Sequence, residues 1–218
     1  FDFAAVHGKA ILASGHAFYS CSNEAFCADS SFRKGAWALD LICGKQVTTS
    51  VGSGLQQKYT VFPHEMQNAL EDFADEGGNI LVSGAYIGTD IADCIFPVQK
   101  DSAFTANSIR FAADVLGYRW AADQASKTGI VKAVRNQMAD MTSMGSFGFY
   151  NHVNPQCYSV ESPDGIDPAS ASSKTLFRYA DTGISAGVGY EGEGYRTVSL
   201  GFPIEALLNE TDIDKIIN

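Results

Sequence analysis

A chain of 218 residues with 45% hydrophobic and 18% charged side chains, including 14 Phe and 9 Tyr, is too apolar and aromatic to remain disordered, and a domain of that length buries roughly 70% of its unfolded surface. A formal net charge of −10 with scattered Lys and Arg argues against nucleic acid as a partner, because a phosphate backbone would be repelled. No apolar run reaches the ~20 residues of a spanning helix, so no membrane insertion is expected.

The chain opens at Phe1 without a charged-then-apolar leader, which reads as a processed or trimmed piece of a longer protein. Residues 9–14 (KAILAS) form a short apolar run ending in Gly15-His16, the pattern of a buried parallel strand that delivers a loop. A Ser-, Cys- and Asn-rich loop follows, then a second apolar run at 36–43 (AWALDLIC) and a polar Gly/Ser/Thr stretch to about residue 60. Pro63 opens a helix in which Met66, Ala69, Leu70 and Phe73 recur at helical spacing, and Gly77-Gly78 closes it. Residues 79–83 (NILVS) read as a buried strand that runs into the glycine-flanked turn Gly84-Ala85-Tyr86-Ile87-Gly88.

A further amphipathic helix fits 104–116, with Gly117 as its left-handed stop. Beyond it, segments 130–134, 157–160, 175–179, 184–190 and 197–202 are short, β-rich and separated by turn residues. Residues 162–173 read as a long loop, and Thr211 as the cap of a last helix. The expected architecture is a three-layer αβα sandwich with a mainly parallel sheet and an antiparallel C-terminal extension, all in one domain over residues 1–218.

Two patterns together carry a family resemblance. The turn G-A-Y-I-G at 84–88 is similar to the G-x-C-x-G nucleophile elbow of class I glutamine amidotransferase-like, flavodoxin-like domains, and TVSLGFPIE at 197–205 resembles that family's closing strand and H-P-E segment. The segments LDLICGKQ, GGNILVSGAYIGTD and GFPIE also resemble secreted bacterial proteins often labelled xanthan lyase. The resemblance implies a secreted, periplasmic or cell-surface protein linked to polysaccharide processing. It implies no amidotransferase activity, because Tyr86 stands where the chemistry needs a thiolate and Phe202 where it needs a proton-shuttling His, leaving Glu205 with nothing to orient.

On this reading the domain serves as an accessory, binding or interaction module, with polysaccharide or other domains of the same chain as partners. The alternative is a lyase or hydrolase on acidic glycans with Tyr86 as base, assisted by His16, Asn23 or Arg178 if the strand ends converge. Glu205 completes the catalytic candidates. Ser83, Gly84, Gly88 and Asp90 around the turn, with Arg178, are the ligand-binding candidates, although Asp90 and Asp93 suit helix capping better than cation binding. Of the five cysteines, Cys21 and Cys27 suggest a local bridge or free thiols. Cys43 and Cys94 read as small buried hydrophobes, and no metal or other cofactor is expected. His7, His64 and His152 read as loop or helix-start residues without a chemical role.

Overall fold

The computed structural model describes residues 3–52, 56–92, 102–138 and 141–218. Helix α1 (Phe3–Ala13) is followed by the short α2 (Asn23–Ala28), whose first turn is capped by the Ser22 hydroxyl. Strand β1 (Ala38–Gly44), the ribbon β2 (Thr49–Val51) and β3 (Gln56–Lys58), helix α3 (His64–Asp75) and strand β4 (Asn79–Gly84) come next. After the one-turn α4 (Thr89–Ala92) and α5 (Ser102–Asp114), the chain turns to strands: β5 (Tyr118–Ala122), β6 (Ile130–Ala133), β7 (Ser146–Gly148), β8 (Gly165–Pro168), β9 (Ser173–Tyr179), β10 (Ser185–Glu191) and β11 (Arg196–Leu200). Helix α6 (Glu210–Ile217) ends it.

Seven strands form one sheet in the order β1-β4-β11-β10-β9-β6-β7. Only β1 with β4 and β4 with β11 run parallel, whereas the other four pairings are antiparallel. The expected mainly parallel, flavodoxin-like three-layer sandwich is therefore corrected to a mixed, mostly antiparallel sheet that curls into a half-barrel. Register shifts in β10 between Ser185 and Gly187 and between Gly187 and Val188 supply part of the bend, since a bulge increases local twist. The antiparallel β5–β8 pair packs against β10.

The first apolar run is the clearest local departure. Residues 9–14 lie mostly in α1 rather than in a strand, because Phe3, Val6, His7 and Ala10 recur at i, i+3, i+4 and i+7 and turn one face inward. A short apolar run is compatible with either element, and the helical period extends N-terminal to it. Helix α3 forms where the spacing predicts it, burying Met66, Ala69, Leu70 and Phe73, and it stops at Gly77, whose φ of +87° suits glycine. Strands β1, β4, β6, β9, β10 and β11 also fall near the expected segments. By contrast 157–160 is not a strand, residues 162–173 contain β8, and Asn209 rather than Thr211 occupies the cap of α6.

Two apolar clusters flank the sheet. One gathers α3, the inward side of α5 and the Ile80, Val82 and Val188 faces of the strands. The other gathers Phe147, Phe149, Phe177, Tyr179, Leu200 and Phe202 with Ile213 and Ile216 of α6 and partly buried Phe3 and Val6 of α1. Helices α1 and α6 pack on each other over this second cluster, which fixes where the inward face of α1, with His7 on it, meets the sheet.

Candidate functional site

A buried polar cluster lies between α1, β1 and the segment after β11. Asp40 sits in the middle of β1, paired in register with Leu81, and Glu205 lies in the 3-10 turn Ile204–Ala206 that follows β11. His7, at the centre of α1, reaches both. Its Nδ1 is 2.7 Å from Asp40 Oδ2 and its Nε2 is 3.2 Å from Glu205 Oε2. Tyr158 donates its hydroxyl to the other Glu205 oxygen, Oε1, at 2.7 Å, and its ring packs edge-on against Phe3.

The side chains of His7 and Glu205 are 2% and 0% exposed, and that of Asp40 is 14% exposed. Burial alone would lower the imidazole pKa, but the hydrogen bonds to Asp40 and Glu205 and their charges outweigh it and raise the value to about 9. An imidazolium between two carboxylates is thus the form held at neutral pH. Because both ring nitrogens are engaged, His7 has no lone pair to give a metal, and among the described residues no group of three or more His, Cys, Asp or Glu is arranged to hold one. Gly44 gives the cluster room: its φ is +52°, and a Cβ there would lie 3.3 Å from both Glu205 Oε1 and the Tyr158 hydroxyl.

The turn after β4 is a second, separate place. Gly84 and Gly88 are glycines for close approach: a Cβ on Gly84 would come within 2.6 Å of Cys43 Cβ, and one on Gly88 within 2.9 Å of Trp120 Cδ1. Asp164 caps the short α4 from across the fold, taking N–H bonds from Gly88 at 2.7 Å and Thr89 at 2.8 Å and the Thr89 hydroxyl. Burial pushes its carboxyl up to about 7, with these bonds opposing. Asp90 accepts from the Thr48 and Val61 N–H groups and from the Thr48 hydroxyl, so it ties Thr48 and Val61 to the turn.

Tyr86 is half-buried against the aromatic cluster. Burial first, then the charges of Glu161, Asp123 and Asp164, raise its phenol above the ordinary value, with a Ser162 hydrogen bond partly opposing. Neither His16 nor Arg178 joins it. His16 packs with a tilted ring against Trp37 just before β1, at the opposite end of the parallel strands from the turn. Arg178 lies on β9, three strands from β4 and so roughly 14 Å away at ~4.8 Å per strand, and it donates to the Gly183 carbonyl. Asn23 begins α2. Ser83 is fully buried in β4, and its hydroxyl has no partner among the described residues.

No known protein family's profile matches the chain, and no curated protein matches it significantly in sequence. Among solved structures, the fold is similar to the exo-β-1,4-mannosidase Op5Man5 from Opitutaceae bacterium strain TAV5, with a TM-score of 0.52 over 94% of this chain and 26% of that one, at 12% identity. The chain spans about a quarter of that protein's length. At this identity the likeness is one of fold.

The curled, mostly antiparallel sheet and this likeness of fold overturn the expected amidotransferase-like, flavodoxin-like membership with its xanthan lyase label. Phe202, aligned by that resemblance with a His, is fully buried and stacks on Phe149 with ring centroids 5.7 Å apart. Glu205, expected to have nothing to orient, is bonded to His7 and Tyr158. The sequence reading missed His7, Asp40 and Tyr158. The helical period through Phe3, Val6, His7 and Ala10 was the signal for the first.

The described cysteines Cys21, Cys27, Cys43 and Cys157 are free, and Cys94 and Asp93 lie outside the described residues. Cys43 is no nucleophile: full burial, reinforced by the charges of Glu205, Asp40 and Asp90, drives its thiol far above the ordinary range. Among the described residues no helix is long and apolar enough to cross a membrane.

Proposed function

We propose that the chain is a domain of a glycan-processing protein of the hydrolase type. The observation that carries this reading is the likeness of fold, over 94% of the chain, to a quarter of a protein that bears the name exo-β-1,4-mannosidase. Glycoside hydrolysis uses two carboxyl groups, one to protonate the leaving oxygen and one as base or nucleophile. The His7 cluster brings two carboxyl groups, those of Asp40 and Glu205, onto one imidazole, with Glu205 fully buried and both its oxygens bonded. Asp40 is the more accessible member, its side chain 14% exposed, while its Oδ1 is buried and has no partner among the described residues.

Elimination fits less well. A lyase base must be able to lose its proton near neutral pH, and the half-buried Tyr86 phenol among carboxylates holds its proton more firmly than a free tyrosine. The net charge of −10 also disfavours the uronate polymers on which a lyase acts.

Release of reducing ends from soluble β-1,4-linked manno-oligosaccharides by the purified chain, lost at least 100-fold in Asp40→Asn and Glu205→Gln, is the expected result. A second reading, in which the domain supports a catalytic site elsewhere in a longer protein, is favoured by the near-complete burial of His7 and Glu205. An inert chain that still binds soluble glycan selects the supporting role. A chain that neither cleaves nor binds any glycan overturns both readings.

A further inference from the structure

Trp37 is the residue immediately before β1, the edge strand of the large sheet, and its side chain is left open to solvent, with the residue 62% exposed. The His16 ring braces it, at 5.2 Å between centroids and tilted by 56°. Beside it, at the N-terminal ends of β4 and β11, lies an open groove of about 480 Å3 lined by Asn79, Glu191, Gly192, Gly194, Tyr195 and Arg196. It is a wide, mainly polar surface groove rather than an enclosed pocket.

Asn79 joins the two features. Its backbone N–H and its side-chain amide both donate to the Trp37 carbonyl at 3.0 Å, its Oδ1 accepts from the Arg196 N–H at 2.9 Å, and it lines the groove. The backbone at Trp37 is therefore tied to a residue of the groove, and the His16 ring packs against the exposed indole. A flat apolar ring next to a row of amide, carboxylate and guanidinium groups matches a ligand with one apolar face and a hydroxyl-covered edge. A sugar ring has both.

Charge selects within that class. Arg196 and Glu191 are 3.5 Å apart, so the groove's cation and anion offset each other, and both remain solvent-exposed and able to take further hydrogen bonds. With no surplus positive charge there and −10 on the chain as a whole, a polyuronate is repelled and a neutral polymer is not. We propose that Trp37 and the adjoining groove of Asn79, Glu191 and Arg196 bind a neutral polysaccharide, the indole stacking on a sugar face and the groove reading its hydroxyls. The inference rests on the glycan-processing reading and places polymer binding at the opposite end of the parallel strands from the Tyr86 turn.

Affinity electrophoresis and calorimetry of the purified chain with soluble galactomannan and hydroxyethylcellulose test it, with polygalacturonate as the acidic polymer. The expected result is retardation by at least one neutral polymer and not by polygalacturonate. Trp37→Ala should weaken binding at least tenfold, Trp37→Phe less, and Arg196→Ala severalfold. Both positions are exposed, so thermal midpoints should match the wild type. Wild-type affinity in Trp37→Ala, equal binding of polygalacturonate, or no binding of any neutral polymer overturns the proposal. Hydrolysis of a small aryl β-mannoside does not need the groove, so binding without turnover leaves this site standing and removes the hydrolase reading, whereas turnover without binding does the reverse.

Discussion

His7 Nε2 and Glu205 Oε2 meet at 3.2 Å although 198 residues separate them in the chain. The contact fastens the N-terminal helix to the segment that follows the last strand, and Asp40 on the other ring nitrogen fastens the same helix to the sheet edge. One imidazole thus bridges two carboxyl groups that would otherwise face each other in a desolvated place without a partner between them.

Removing that imidazole should be costly. His7→Ala leaves Asp40 and Glu205 buried without their cation, and breaking a buried pair by deleting one partner typically costs about 3–5 kcal/mol. Urea unfolding should show a loss of that order. The charge-removing double variant Asp40→Asn, Glu205→Gln in the His7→Ala background should recover part of it. A His7→Ala loss below about 1 kcal/mol would mean that water already reaches the cluster.

The pH dependence of stability follows from two groups. His7 has its folded pKa raised to about 9 from an ordinary 6.5, so its contribution is complete below pH 6.5 and is lost as pH rises through 9. The shift corresponds to about 3 kcal/mol. Asp164 has its folded pKa raised to about 7 from 3.8, so stability falls between those values, where the unfolded chain gives up this proton and the buried carboxyl still holds it. Unfolding free energy should therefore decline from pH 4 to above pH 9. His7→Gln should flatten the upper limb, and Asp164→Asn, which still accepts from the Gly88 and Thr89 N–H groups, the lower.

Tyr86 should prove dispensable for turnover. Its raised pKa removes the phenolate that a base needs, so Tyr86→Phe should keep glycan cleavage within about twofold, given the ~10²–10⁴-fold that general acid–base catalysis supplies. Neither form should generate unsaturated-uronate absorbance from pectin, heparin or xanthan. Appearance of that signal, lost in Tyr86→Phe, would restore the lyase alternative.

How far the sequence revealed the molecule depended on the range of the interaction. Helix α3, strand β4 and the glycine turn are set by residues within a few positions of each other, and periodicity, Pro63 and Gly77-Gly78 were enough to place them. The direction of the sheet was not legible. Whether β9 and β10 pair antiparallel beside a parallel trio depends on partners scattered from residue 38 to 200, and a short apolar strand looks the same in either ladder. The site suffered similarly: Glu205 was visible as an acidic residue in a closing segment, but its partners His7 and Tyr158 are placed only once α1 is known to be a helix lying over β1.

Phe202 tests the corrected assignment most directly. If the chain were an amidotransferase-like domain that had lost its His, restoring the imidazole would be tolerated at a site edge. Instead the ring is fully buried, stacked at 13° on Phe149 and edge-on to Phe147 and Phe177. Phe202→Ala should cost about 3–5 kcal/mol, as expected for emptying a packed aromatic position. Phe202→His should also destabilise, because among these rings its nitrogens would be desolvated with apolar neighbours in place of hydrogen-bond partners. Phe202→Leu, which keeps most of the apolar volume, should be the mildest of the three. Thermal unfolding of the set would show the order Leu, His, Ala or Leu, Ala, His below the wild type, and a Phe202→His protein as stable as the wild type would place this position at a solvated site rather than in the core.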